Sequence, residues 1–317
     1  MFNIDAQQAL GFIVSQTAYI EPIVLETEYP DIQYPDLIPV DTSAPEWAKS
    51  VTYYSTNKVG RANWFHHYAK DVHVADIERS MFEVGIDMAE IGYRWTLEEV
   101  GNAIMVGMNL TAERAIAARR AADEFIDKVA LQGAPEKNFP GLINYPGITI
   151  VAAPADGTSG EDAWTSKTSD QIMRDINMLI SGMWTASGSV ELADTLLLPL
   201  EAMSAMATSR VTGTTMTTLG WVLANNLFTN VTGRPFMIRA VRGLESAGPG
   251  GVGRAVAYRR DPAVLKMHIP MPHRFLPVWQ TGPLVFDVPG IFRLAGLEIR
   301  RPGAVRYMDG VTNAYHS

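Results

Sequence analysis

The charges of this 317-residue chain are sorted by position, and that sorting constrains its fold more than any motif does. Residues 1–48 carry eight acids (Asp5, Glu21, Glu26, Glu28, Asp31, Asp36, Asp41 and Glu46) and no Lys or Arg. Residues 234–317 carry twelve Lys or Arg against five Asp or Glu. The first segment therefore has no ion pair available within itself. It also holds Phe12, Ile13, Val14, Tyr19, Ile20, Tyr29, Tyr34 and Trp47, which makes it too apolar for a merely solvated acidic tail. The pattern predicts an arm that docks, arm to body, with the opposite charges steering and registering contact between copies of the chain.

Composition removes several function classes. Net charge is −8, which argues against electrostatic capture of nucleic acid, though not against enclosing it. There is no cysteine, so disulfides, thiolate zinc sites and cysteine nucleophiles are excluded. Leu10–Val14 lacks the basic flank of a signal peptide, and no run of about 18 apolar residues predicts a membrane span. The expectation is a soluble intracellular protein with no membrane partner.

Along the chain, Val51–Thr56 and Arg61–His67 flank Asn57-Lys58-Val59-Gly60 and predict a β-hairpin turning there. Val72–Val74 and the alternating Phe82, Val84, Ile86 and Met88 continue the strand pattern. Such a hairpin has little core of its own and needs a partner surface. A short helix is expected from Thr96, and a long one over 111–132 that ends at Gly133. Ala112, Ala115, Ile116, Ala122, Ile126 and Val129 form one stripe on it, and Ala117, Ala118, Ala121 and Phe125 a second, so it reads as wedged between layers. Thr168-Ser169-Asp170-Gln171 is a capping box opening a helix that carries Ile172, Ile176, Leu179, Ile180 and Met183. Further helices are expected over Pro199–Ala207 and Thr215–Phe228. Strands then follow at Phe236–Val241, Arg254–Tyr258, Val264–His268, Leu284–Val288 and Ile291–Ile299. The class is α+β.

No candidate chemistry outweighs its plainer reading. Gly248–Gly253 spells G-x-G-x-x-G, but a strand pattern follows it where a nucleotide site needs a helix. His66 and His67 point to opposite faces of a strand and, with His73, read as contact residues more than metal ligands. His268 and His273 lie among Pro270, Pro272 and Pro277 in what reads as a loop-rich crossing. Glu98 and Glu99 complement a helix dipole. Ser159, Ser187 and Ser189 lack the strand–turn–helix setting of a nucleophile. The pairs Arg259-Arg260 and Arg300-Arg301 fall short of a basic stripe for nucleic acid. No catalytic, cofactor-binding or metal residue is assigned, and no cofactor is expected.

The order of elements carries more than any site. An acidic apolar arm, a long hairpin, a strand over 82–94, a short helix at Thr96 and a long helix leading to Gly141-Leu142 resembles the Hong Kong 97-type major capsid fold of tailed bacteriophages. The segment Arg300–Val311 is similar to the closing stretch of the subgroup related to encapsulin shells. The resemblance implies an N-arm (1–48), an E-loop hairpin (49–80), a P domain (81–146, spine helix 111–132), an A domain (147–263) and return strands of the P domain (264–317). It implies a virion protein, assembled in the host cytoplasm, that forms hexameric and pentameric capsomers of an icosahedral shell enclosing double-stranded DNA. Scaffold, portal and decoration proteins are the further partners it implies. Isopeptide cross-linking, known in some members, is not expected, although Lys58 near the hairpin tip is the one reasonable lysine. The alternatives are an encapsulin-like compartment shell and a cytosolic nucleotide-binding enzyme using Gly248–Gly253.

Overall fold

The computed structural model describes residues 31–59, 76–99 and 110–314. In chain order these form α1 (Tyr34–Leu37), β1 (Val40–Asp41), β2 (Ser50–Val59), β3 (Asp76–Glu90), β4 (Tyr93–Thr96), α2 (Leu110–Gln132), β5 (Gly133–Ala134) and β6 (Phe139–Pro140). There follow β7 (Thr149–Ala152), α3 (Ser169–Ala186), β8 (Thr195–Leu198), α4 (Leu200–Thr208), α5 (Thr218–Asn225), α6 (Leu227–Thr232) and β9 (Met237–Ala240). The last strands are β10 (Arg254–Tyr258), β11 (Leu265–His268), β12 (Met271–Phe275), β13 (Trp279–Gly282), β14 (Val285–Val288), β15 (Gly290–Ala295), β16 (Leu297–Ile299) and β17 (Val305–Asp309).

A five-stranded mixed sheet, in the order β7-β17-β10-β8-β9, divides two apolar cores. Every residue of β8 and β10 is buried, so after Thr195 and Arg254 these strands read as apolar runs without polar alternation. Leu197, Val256, Tyr258 and Tyr307 face the core that holds α2 and the 34–38 segment. Leu196, Leu198, Ala255, Ala257 and Met308 face the core beneath α3. β17, from the expected return segment, lies between β7 and β10, parallel to the first and antiparallel to the second. The sheet is therefore built from both the expected A-domain segment and the return segment.

The helix starts follow from their caps. Thr168 and Gln171 form the reciprocal capping box at the head of α3, and Ile172, Ile176, Leu179, Ile180 and Met183 are all buried. Asn226 breaks the expected 215–228 helix in two: it ends α5 and accepts the Thr229 N–H as the cap of α6. The strand pattern of 291–299 likewise splits at Gly296, where the Phe139 ring occupies the space a side chain would need.

The long helix matches its expected span, but only part of it is wedged. Ala122, Ile126, Val129, Ala130 and Leu131 are buried, whereas Ile116 is 64% exposed and Ala117 is open. The chain's own core covers the C-terminal half of α2 and leaves apolar surface on the earlier turns.

Residues 33–48 of the segment expected as an arm pack on the chain's own body. The Gln33 and Tyr34 N–H groups donate to Asp127 Oδ1, and the Tyr258 hydroxyl donates to the Leu37 carbonyl. Leu37 and Ile38 are buried, and β1 runs parallel to β11. Asp41 pairs with Lys266 at 2.5 Å, and Glu46 pairs with Arg274 at 3.1 Å. Part of the charge sorting is thus satisfied within one subunit. Asp5, Glu21, Glu26 and Glu28 lie outside the described residues.

Candidate functional site

The most prominent feature is a ribbon. β2 and β3 pair from Ser50↔Gly85 to Val59↔Asp76. β15 joins β3 between Ile86 and Glu90, so beyond it the ribbon has two strands and, among the described residues, no third. Ten residue pairs at about 3.4 Å rise reach about 34 Å. A two-stranded ribbon is marginal in water by itself. The expected turn at Asn57–Gly60 is corrected: Asn57 and Lys58 pair with Glu78 and Ile77 inside the ladder, which continues to Val59↔Asp76. Residues 60–75, with the expected strands at Arg61–His67 and Val72–Val74 and the histidines His66, His67 and His73, lie outside the described residues.

Both ribbon faces carry large apolar side chains. Tyr54 and Met81, opposite each other, are 68% and 65% exposed. On the other face Tyr53 stacks on Phe82 with ring centroids 5.2 Å apart, and Phe82 is 47% exposed. A second open apolar surface lies on the β13-β14-β4 sheet, where Trp279, Leu284 and neighbouring Leu97 are exposed. A third is a groove of about 1080 Å³ bordered by α4 and the 242–246 loop, lined in part by Trp164, Leu200, Ala205 and Arg242.

The ribbon's root is held by a network of charges. Glu298 on β16 is fully buried; its carboxylate accepts from Arg300 Nε at 2.5 Å and is hydrogen-bonded to His268 Nε2 at 2.7 Å. Burial opposes ionisation of Glu298, but the His268 and Arg300 hydrogen bonds outweigh it and hold the carboxyl below its ordinary value. The Arg300 guanidinium in turn sits 5.0 Å from the Tyr53 ring centroid, joining this sheet to β2. One residue pair away, hydrogen bonds from Lys266 and Ser43 hold Asp41 well below the usual carboxylate range.

At the base of β4, Thr96 and Glu99 form a second capping box: the Glu99 carboxylate accepts the Thr96 N–H, and Thr96 Oγ1 accepts the Glu99 N–H. Arg114 of α2 also binds the Glu99 carboxylate and the Arg94 carbonyl. The Arg114 hydrogen bond, with that from Thr96, lowers Glu99 to about 2. Glu99 is thus a strut between the sheet and the long helix, a role beyond dipole complement.

The other singled-out residues are structural. The arginine pairs bind the chain itself: Arg259 and Arg301 converge on Glu191, Arg260 donates to the Pro35 carbonyl, and Arg300 binds Glu298. His268 ends β11, within the strand expected over Val264–His268, while His273 lies on β12 and corrects the loop-rich reading of that stretch; its Nε2 meets the Ile91 carbonyl at 3.0 Å. Gly248–Gly253 leads directly into β10, and a Cβ on Gly253 would lie 2.0 Å from Thr312 Oγ1. The two ends of the loop, Gly248 and Gly253, are packed against their own chain, while Gly250 and Gly251 at its tip are open. Ser187 Oγ accepts the Glu191 N–H, while Ser159 and Ser189 take positive φ in turns. Sequence reasoning did not single out Trp279, Leu284 or the Asp41–Lys266 pair.

A body whose ribbon, helix start and sheet tip leave this much apolar surface uncovered has surfaces suited to covering by a partner. Its architecture is the Hong Kong 97-type capsid fold. The profile described as "Major capsid protein" matches residues 60–311, and the chain belongs to that family of self-assembling structural proteins. Solved structures agree on the fold. The capsid of Myoviridae phage XM1 is 19% identical, with 93% of this chain and 97% of that chain covered and a TM-score of 0.76. The capsid of a native GTA particle, at 10% identity, covers 98% of this chain and 99% of its own, with a TM-score of 0.64. Microbacterium phage Oxtober96, at 11% identity, covers 97% and 99%, with a TM-score of 0.62. No curated protein matches the chain by sequence. Among the described residues, no helix is long and apolar enough to cross a membrane.

Proposed function

We propose that this capsid subunit assembles into hexamers and pentamers that close an icosahedral shell around double-stranded DNA. The observation that supports it is the unsupported β2–β3 ribbon, whose two apolar faces need a neighbour's surface. In this reading the ribbon lies over the adjacent subunit. The negative net charge fits a wall that does not hold its contents by attraction. The DNA is then driven in through a portal, and scaffold and decoration proteins act on a shell that forms in the host cytoplasm. Cryo-electron microscopy of purified particles tests the symmetry. Nuclease-protected double-stranded DNA is the expected content when the chain is produced with its phage partners. Particles of helical symmetry, or shells filled with protein cargo, would overturn the reading.

A further inference from the structure

Beyond its third strand the ribbon is steadied at one point. β15 leaves β3 at Ile86, where the Phe139 ring lies beside Gly85 and Lys137 pairs with Asp87 at 3.4 Å. These contacts sit at the root and act as a fulcrum. Measured from the Ser50↔Gly85 pair, Tyr53↔Phe82 lies about 10 Å out and Val59↔Asp76 about 30 Å out, at about 3.4 Å per residue. Among the described residues from Tyr53 outward, one hydrogen-bonded, ion-paired or ring contact reaches the body. It is the Arg300 guanidinium over the Tyr53 ring, 5.0 Å from the centroid.

Both ends of that contact are fixed. Arg300 Nε donates to one oxygen of the Glu298 carboxylate, and the other oxygen meets His268 Nε2 at 2.7 Å. Glu298 is fully buried, so its carboxylate does not swing away without stranding a charge in the interior. The body therefore sets where the guanidinium points. On the ribbon side, Tyr53 stacks on Phe82 with 17° between the ring planes, and the two residues stand opposite each other in the ladder. One cation thus grips both strands. The series Glu298, Arg300, Tyr53, Phe82 runs from the buried interior to a point a third of the way along the described ribbon.

We infer that Arg300 is the positioning residue that sets the angle at which the β2–β3 ribbon leaves the body, with Glu298 as its anchor. A ribbon held only at its root is free to rock about that root. Each ångström of play at Tyr53 becomes about 3 Å at Val59, so a restraint at Tyr53 governs where Tyr54 and Met81 are presented. Arginine suits the task and lysine does not: the guanidinium is a plane that one hydrogen bond orients and that stacks on a ring, whereas an ammonium is a point charge on a flexible stem. The inference concerns a single subunit and does not rest on the shell reading. A plainer role, in which the contact stabilises the ribbon without aiming it, would move the melting temperature and leave the angle alone.

The test reads that angle in the full chain. The protein has no cysteine, so Ser55→Cys on the ribbon and Ala263→Cys on the body, both exposed, take one spin label each. Pulsed electron–electron double resonance on the unassembled chain, kept dilute, gives the distribution of distances between them. The otherwise unaltered chain should give one narrow distance. Arg300→Lys and Tyr53→Leu should each widen it by about twofold or more, and the double variant no further than either alone, because both remove the same contact. Tyr53→Leu leaves the buried Glu298 cluster whole, so it carries the test even if Arg300→Lys disturbs the core. Lys137→Ala, an exposed pair at the fulcrum, should leave the width unchanged. Unaltered widths in both Arg300→Lys and Tyr53→Leu, with or without a lower melting temperature, would overturn the inference. So would widening by Arg300→Lys alone, which means a contact other than Tyr53, or equal widening by Lys137→Ala.

Discussion

Replacing Tyr54 and Met81 with serine should separate folding from assembly. The two side chains face each other across the ribbon and are 68% and 65% exposed, so the isolated subunit gains little from them. Each shows on the order of 100 Å² of apolar surface, worth about 2–3 kcal/mol at about 25 cal/mol per Å² if a neighbour covers it. Together they contribute up to about 5 kcal/mol per contact, an upper figure that corresponds to a factor of several thousand in the contact's equilibrium constant. A closed shell repeats that contact in every subunit. Tyr54→Ser/Met81→Ser should therefore leave the melting temperature of the unassembled subunit within about 2 °C of wild type while abolishing closed particles. Differential scanning fluorimetry on capsomers or monomers reads the first quantity, and sedimentation with negative-stain microscopy reads the second. Wild-type shells from this variant would mean that the ribbon's outer face stays solvated, and the case for a covering neighbour would fail.

Three further outcomes are expected. Asp41 and Glu298 have carboxyls held below their unfolded values, so their stabilisation is complete above about pH 4.5 and drains away as pH falls through the depressed folded values. Thermal melts between pH 6 and pH 3 should show it, and Asp41→Asn should flatten the acid limb; a limb of unchanged steepness contradicts the assignment. Arg254 makes a fork with Asp309 at 2.6 and 2.9 Å and also donates to the Ile143 carbonyl, all buried. Arg254→Met strands that carboxylate and should cost about 3–5 kcal/mol in chemical denaturation, with Arg254→Met/Asp309→Leu recovering a good part. Gly253→Ala places a methyl where Thr312 Oγ1 stands and should destabilise by about 1–3 kcal/mol, largely relieved by Thr312→Gly.

Local rules were readable wherever one residue satisfies one backbone group. The Thr168–Gln171 box, the end of the long helix at Gly133 and the limits of β10 all belong to this kind. Reading failed where a distant partner outvoted local preference. Asn57–Gly60 has turn composition, but the antiparallel ladder to residues 76–85 carries Asn57, Lys58 and Val59 as strand. β12 and β13 were hidden by Pro272 and Pro277, and both proved to be edge strands, where proline is tolerated. Charge sorting was visible from composition, yet composition does not say whether an acid finds its base in the same copy or the next. Asp41 and Glu46 find theirs in the same copy, through the parallel pairing of β1 with β11 and the ion pair to β12. Leu284 looked like an ordinary strand residue and Trp279 fell in the hidden β13, and in neither case does a sequence state which face of a sheet lacks a cover.

The position of β17 sets a condition on synthesis. Its five residues lie between β7 and β10, and they bring Tyr307 to one core and Met308 to the other. Until translation passes Asp309, β7 has no neighbour, β10 has one, and neither core is closed. Such late, long-range pairing delays folding until the ribosome has delivered nearly the whole described chain. A subunit cut short before residue 305 cannot fix β7 against the sheet. The strand order thus ties the closing of both cores to the last of the described strands.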